Sequence, residues 1–232
     1  SWIGSLTEVS QNDGYWVKVA EAVTLAYDEY ADPVSYDADG EVVYDNHLGN
    51  NLISYPFING QSVGDALGDA ASNVYALAGE GVAALWSSSA GDGGAWVGSL
   101  TAFEGSHGYW LVSTADFEFS FNNTNIDGDG LARAEEAVQV APRIVPEEFS
   151  YVQSVDQAFY FINNITIRNE ALTSEDIIIA YNGAEVVGSR YYNVDGYTDV
   201  PVMGVDDNEE CSKYCKKGDL ISFKVWDDSE QK

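Results

Sequence analysis

Residues 1–16 read SWIGSLTEVSQNDGYW, and residues 95–110 read AWVGSLTAFEGSHGYW. The two align without a gap at an offset of 94. Trp2/Trp96, Gly4/Gly98, Ser5/Ser99, Leu6/Leu100, Thr7/Thr101, Gly14/Gly108, Tyr15/Tyr109 and Trp16/Trp110 are identical, and Ile3/Val97 and Val17/Leu111 are conservative. The likeness fades but continues, with VTLAY (23–27) lying on FEFSF (117–121). Each copy predicts a short apolar strand, a turn at NDG or SHG, an aromatic and β-branched strand, and a further alternating strand. A recurring unit constrains the fold strongly, because each copy needs the same core.

The second copy has an upstream half. NNLISYPF begins at Asn50 and predicts a strand that stops at Pro56. Residues 62–73 carry a helical apolar spacing, Val63, Leu67 and Ala70/Ala71, weakened by Gly64 and Gly68. VYALAG and VAALWSS predict a hairpin around GEG (79–81). A full unit therefore spans about 50–121, and residues 1–30 read as the second half alone. That half is expected to complete itself with 31–48, where VSYDADGEVVYD is a hairpin candidate, or with another subunit. Residues 122–146 are polar, then helical, and end in APRIVP, whose two prolines predict a linker. Residues 147–232 form a second compositional block, in which AFYFINNITI alternates. AFYFINNITI (158–167), two strands about YNGAE within 176–192, DVPVMG (199–204) and DLISFKVWDD (219–228) predict a β-sandwich. The expected fold is mainly β: two β-sandwich-like domains with one or two short helices. The expected boundaries are 1–121, a calcium loop, helix and linker over 122–146, and 147–232.

Ten Lys and Arg stand against 38 Asp and Glu, a formal net charge of −28. Such a surface repels phosphate backbones and anionic lipid heads, so nucleic acid and membrane surfaces are poor partners. It attracts cations, calcium first. No apolar run is long enough for a spanning helix. Cys211 and Cys215, in CSKYC, read as a small-loop disulfide in an oxidising compartment, or as two thiols.

W-x-G-S-L-T followed by G-Y-W-V, with NLISYP upstream, resembles a repeat module of large secreted bacterial surface proteins. QAFYF, EDIIIAYNGAEVVGSR, VPVMG and GDLISFKVWDD look like a second β-rich module of the same kind. The resemblance covers most of the chain. It implies an extracellular, cell-surface, multi-module setting and brings no catalytic residues with it.

The sharpest local motif is NIDGDGLARAEE, 125–136. Calcium takes six to eight oxygens from a loop with acidic groups two apart, a glycine at the bend and a terminal bidentate carboxylate. With Asn125 at position 1, Asp127 is 3, Asp129 is 5, Gly130 is 6, Leu131 offers its carbonyl at 7 and Glu136 falls at 12. A strand enters the loop instead of a helix, closer to a dockerin-type half-site than to a full EF-hand. The competing reading is a solvated Asp/Gly turn capping a short helix. DADGE (37–41) and VDDNEE (205–210) are weaker candidates, since acidic loops are ordinary on this chain.

The repeated tryptophans suit a core role. Trp86, Trp226, Tyr191 and Tyr192 are the candidate glycan platform. His47 and His107 have no nucleophile context, so no hydrolytic constellation and no catalytic residue emerges. Asn122-Asn123-Thr124 and Asn164-Ile165-Thr166 are glycan-acceptor triplets, which arise often by chance. The expected function is a non-enzymatic, calcium-stabilised structural or adhesive protein that associates with itself or with other surface modules. The alternative is a carbohydrate-binding module of a larger secreted enzyme.

Overall fold

The computed structural model describes residues 42–57, 60–122 and 137–231, with isolated positions between 6 and 21. The strands are β1 (Tyr44–Asn46), β2 (Gly49–Ser54), β3 (Gln61–Ser62), β4 (Val74–Ala78), β5 (Ala83–Ser87), β6 (Ala95–Gly98), β7 (Ala102–Phe103) and β8 (Gly108–Ser113). They continue as β9 (Phe117–Phe119), β10 (Gln157–Ile162), β11 (Thr166–Ile167), β12 (Glu170–Ala171), β13 (Ile177–Asn182), β14 (Glu185–Tyr191), β15 (Thr198–Met203) and β16 (Ser222–Trp226). One short α-helix, α1 (Val63–Leu67), lies among the described residues. The protein is mainly β, as the alternation implies.

The chain forms two compact units, residues 1–79 with 101–139, and 80–100 with 140–232. This division differs from the expected boundaries near 121 and 147, since 122–139 group with the first unit and 140–146 with the second. Residues 80–100, inside the expected repeat domain, belong with the C-terminal block.

In the first unit β8 is a central strand, antiparallel to both β2 and β4. Its alternation buries Tyr109, Leu111 and Ser113. Tyr44, Tyr55, Phe103, Tyr109, Phe119 and Phe121 form a chain of rings with centroids 4.8–5.4 Å apart. The helix expected over 62–73 is half realised. Ser62 Oγ accepts the Asp65 N–H and donates to Asp65 Oδ2, capping α1. The helix then gives way at Gly68, φ +49°, to a 3-10 segment over Gly68–Asn73. The repeated glycine has a structural reason. Gly14 donates its N–H to Leu52 O while Asp13 bridges Ile53 on β2, and a Cβ on Gly14 would lie 2.8 Å from Leu52 Cγ. Gly108 pairs with Ser54 on the same strand, and a Cβ there would stand 3.7 Å from the Gly14 Cα. Both copies of the motif therefore meet at β2.

In the second unit β13 lies between β14 and β16, and β10 pairs with β15. The run Ile177, Ile178, Ile179 and Ala180 is buried throughout, as a strand covered on both faces must be. Ile178 and Ala180 share one core with Val187 of β14 and Val200, Val202 and Met203 of β15, so two sheets face each other sandwich-fashion. Ile177 and Ile179 face the opposite way, onto Phe149 and Val145. The segment expected as a linker is docked there: Arg143 lies 3.8 Å over the Tyr191 ring and forks onto Glu175, with a closest approach of 2.8 Å. Asp199 alternates with Val200 and so points to the outer face of β15, where the β5–β6 hairpin covers it. Its Oδ2 accepts Ser99 Oγ at 2.5 Å and the Ala83 N–H at 3.3 Å. Arg190 donates to Gly81 O at 2.6 Å and to Asp199 O at 3.1 Å, and its guanidinium stands 3.5 Å from Asp199 Oδ2. This buried clamp ties 80–100 to the C-terminal strands.

Candidate functional site

The five expected calcium ligands, Asn125, Asp127, Asp129, Leu131 and Glu136, lie outside the described residues, as does the acidic stretch 37–41. What is described is how that loop is attached. Before it, Asn122 donates its N–H to Ala66 O and its Nδ2–H to Asp65 O, and Gln61 Nε2 donates to Asn122 O at 3.0 Å. After it, Ala137 donates to Gly60 O at 3.2 Å, and Gln139 Oε1 accepts the N–H groups of Thr101 and Ala102. The two attachment points thus reach adjacent residues, Gly60 and Gln61. Among the described residues no group of three or more His, Cys, Asp or Glu side chains is placed to hold a metal ion. The acidic stretch 205–210 is a turn. Asp206 accepts the N–H groups of Val155 and Asn208. Burial works against its charge, but these bonds, with those from Ser154 and Cys211, hold its carboxyl below the ordinary value.

A cleft of about 240 Å³ opens in the first unit beside β1 and β2. Asp13, Asp45, His47, Asn46, Asn50 and Asn51 supply its polar lining, over Tyr44, Leu52 and Ile53. Asn51 fixes the turn between the strands: its Oδ1 accepts the His47 N–H at 3.0 Å, and its Nδ2 donates to His47 O and Gly49 O. Asp116 accepts the Leu48 N–H at 2.7 Å. Two carboxylates turn anions away, while carboxamides offer donors and acceptors side by side, which suits a small polyhydroxylated or cationic ligand. YDNHLGNN gave no warning of this cleft, because it depends on Asp13 reaching β2.

The expected disulfide is not what the structure contains. Cys211 and Cys215 are two thiols. Cys211 ends a 3-10 turn (Glu209–Cys211) and is buried in the core, its thiol donating to Asp206. Cys215 is held elsewhere by its backbone, donating to Met203 O and accepting from Val205. Burial, and secondarily Asp219, raises the Cys215 thiol pKa.

The four expected platform aromatics are not brought together. Tyr191 and Trp226 both pair with Ile177 and flank it on one face, but Arg143, Val145 and Phe149 pack on that face. Tyr192 faces the other way and is buried in the sandwich core. Trp86 alone stays well exposed, at 39%, edge-on to Trp96 across the β5–β6 hairpin. His107 is exposed, its Nδ1 against Gly105 O.

No protein-family model, curated protein or solved structure matches the chain. Among the described residues no helix is long and apolar enough to cross a membrane.

Proposed function

We propose that the chain is a non-enzymatic, extracellular structural or adhesive protein, stabilised by calcium in the 125–136 loop, whose first repeat copy docks onto another surface-protein chain to build a filament or appendage. One observation carries this reading. Positions that are core in the second copy are exposed in the first: Leu6 is 63% exposed against 2% for Leu100, Val9 76% against 0% for Phe103, and Val17 69% against 0% for Leu111. At these three described positions the first copy therefore presents apolar side chains to solvent where the second copy has core. A polypeptide like 49–78 would cover that surface, and head-to-tail contacts of this kind need not close. Light scattering over a concentration series, with calcium present, tests it. The mass should grow with concentration, and the double variant Val9→Lys, Val17→Lys should stay monomeric. A monodisperse wild-type monomer at high concentration would sink the proposal.

The second reading, glycan binding, is favoured by the carboxamide cleft beside β1 and β2. A glycan array with no hits, or hits unchanged by Asn50→Ala, defeats it.

A further inference from the structure

We propose that Asn164 is an N-glycan acceptor in the folded protein and that Asn122, in the other acceptor triplet, is not. In the transfer, the Asn Nδ2 forms a bond to the anomeric carbon of a lipid-phosphate-linked oligosaccharide. The bond from that carbon to the phosphate oxygen breaks, the phosphate leaves on its lipid, and the amide proton passes to a base of the transferase. This chemistry needs an amide nitrogen that can leave its surroundings and rotate, and a hydroxyl two residues on that the enzyme can reach.

Asn164 meets both needs. It sits in the exposed turn between β10 and β11 with φ +58°, a left-handed conformation that asparagine tolerates better than most residues. No hydrogen bond engages its side chain among the described residues. Ile165 packs against the sandwich core, whereas Asn164 and Thr166 on either side are exposed. The half-buried middle residue holds the triplet in place with acceptor and hydroxyl outward. Asn122 is the opposite case. Its Nδ2 donates to Asp65 O at 2.9 Å, its backbone is bound on both sides by Ala66 and Gln61, and its amide stands against Gly68 where no Cβ would fit. A sugar on that nitrogen would break the attachment of 122 to α1.

The extracellular reading bears on this only in bringing the chain to a transferase. The test therefore supplies the enzyme: folded protein is incubated with an oligosaccharyltransferase and its lipid-linked oligosaccharide, then mapped by peptide mass. One glycan at Asn164, none at Asn122, and loss of modification in both Asn164→Asp and Thr166→Ala is the expected result. Folded protein left bare at Asn164, or modified as fast at Asn122, overturns the proposal. Peptide mapping and fractionation of protein from its source cells then test the location separately.

Discussion

Asp199→Ala removes the anion of the clamp and leaves the Arg190 guanidinium buried with only the carbonyls of Gly81 and Asp199. Side-chain exposure is 9% for Arg190 and 3% for Asp199, so solvent cannot replace the lost partner. Ser99 Oγ and the Ala83 N–H lose their acceptor at the same time. Breaking a buried pair from one side costs about 3–5 kcal/mol. At about 4 °C per kcal/mol for a unit of this size, Tm should fall by roughly 12–20 °C by calorimetry or circular dichroism. The pair variant Arg190→Met, Asp199→Leu should recover most of that loss, because it leaves no buried charge behind. A fall of under about 1 kcal/mol in Asp199→Ala, or a pair variant no better than the single one, refutes the reasoning. The pH dependence has a defined sign. Desolvation raises the Asp199 carboxyl above its ordinary 3.8, against the lowering by Arg190, Ser99 and Ala83. The folded chain therefore holds this proton more tightly than the unfolded chain. That stability is complete below pH 3.8 and is lost as pH rises through the folded value. Asp199→Asn lacks this loss, so the wild-type-minus-variant difference should shift against wild type as pH climbs above 4, then level off. A difference flat in pH contradicts it.

Chelation with EDTA should lower Tm, and Asp127→Ala with Asp129→Ala should abolish the difference; an unchanged melt removes calcium from the account. A thiol reagent should label Cys215 slowly in the folded protein, its thiolate made scarce by burial, and Cys211 only in denaturant. If neither thiol reacts in denaturant without reductant, the disulfide read from the sequence forms after all. In Gly188→Ala the new Cβ would overlap the Pro201 carbonyl, a backbone group that cannot swing aside, so β14 and β15 must part. Denaturant unfolding should show a loss of about 3 kcal/mol or more; under about 1 kcal/mol would mean the strands pack less closely there. Spectroscopic titration should find Tyr109 ionising near pH 12, because burial raises it against the Glu104 N–H that its oxygen accepts; ionisation near 10 denies that burial.

Local signals were legible where one residue type decides the outcome. The aromatic and β-branched YWLVS marked β8, alternation marked β10 although that strand stops at Ile162 instead of running to 167, and DVPVMG marked β15. Gly183, φ +62°, turns the β13–β14 hairpin as YNG implied. Readings failed where the deciding partner is distant. Nothing in GEGVAALW names Asp199 as the acceptor for Ala83, 116 residues on. The prolines of APRIVP announce extended chain, but not that Arg143 would lie on Tyr191. Tyr191 and Tyr192 look like one aromatic patch in text, while a strand sends neighbours to opposite faces.

The clamp has a consequence for synthesis. Ser99 leaves the ribosome 100 residues ahead of Asp199, and Gly81 leads Arg190 by 109. At roughly 5–20 residues per second, the β5–β6 hairpin waits about 5–20 s for the strand that will cover it. During that interval the hairpin face carrying Ala83 and Ser99, which Asp199 engages in the folded chain, stands without its partner. A chain stopped near 140 would keep that surface permanently, making this hairpin a natural point for a holding chaperone to grip and for aggregation to begin.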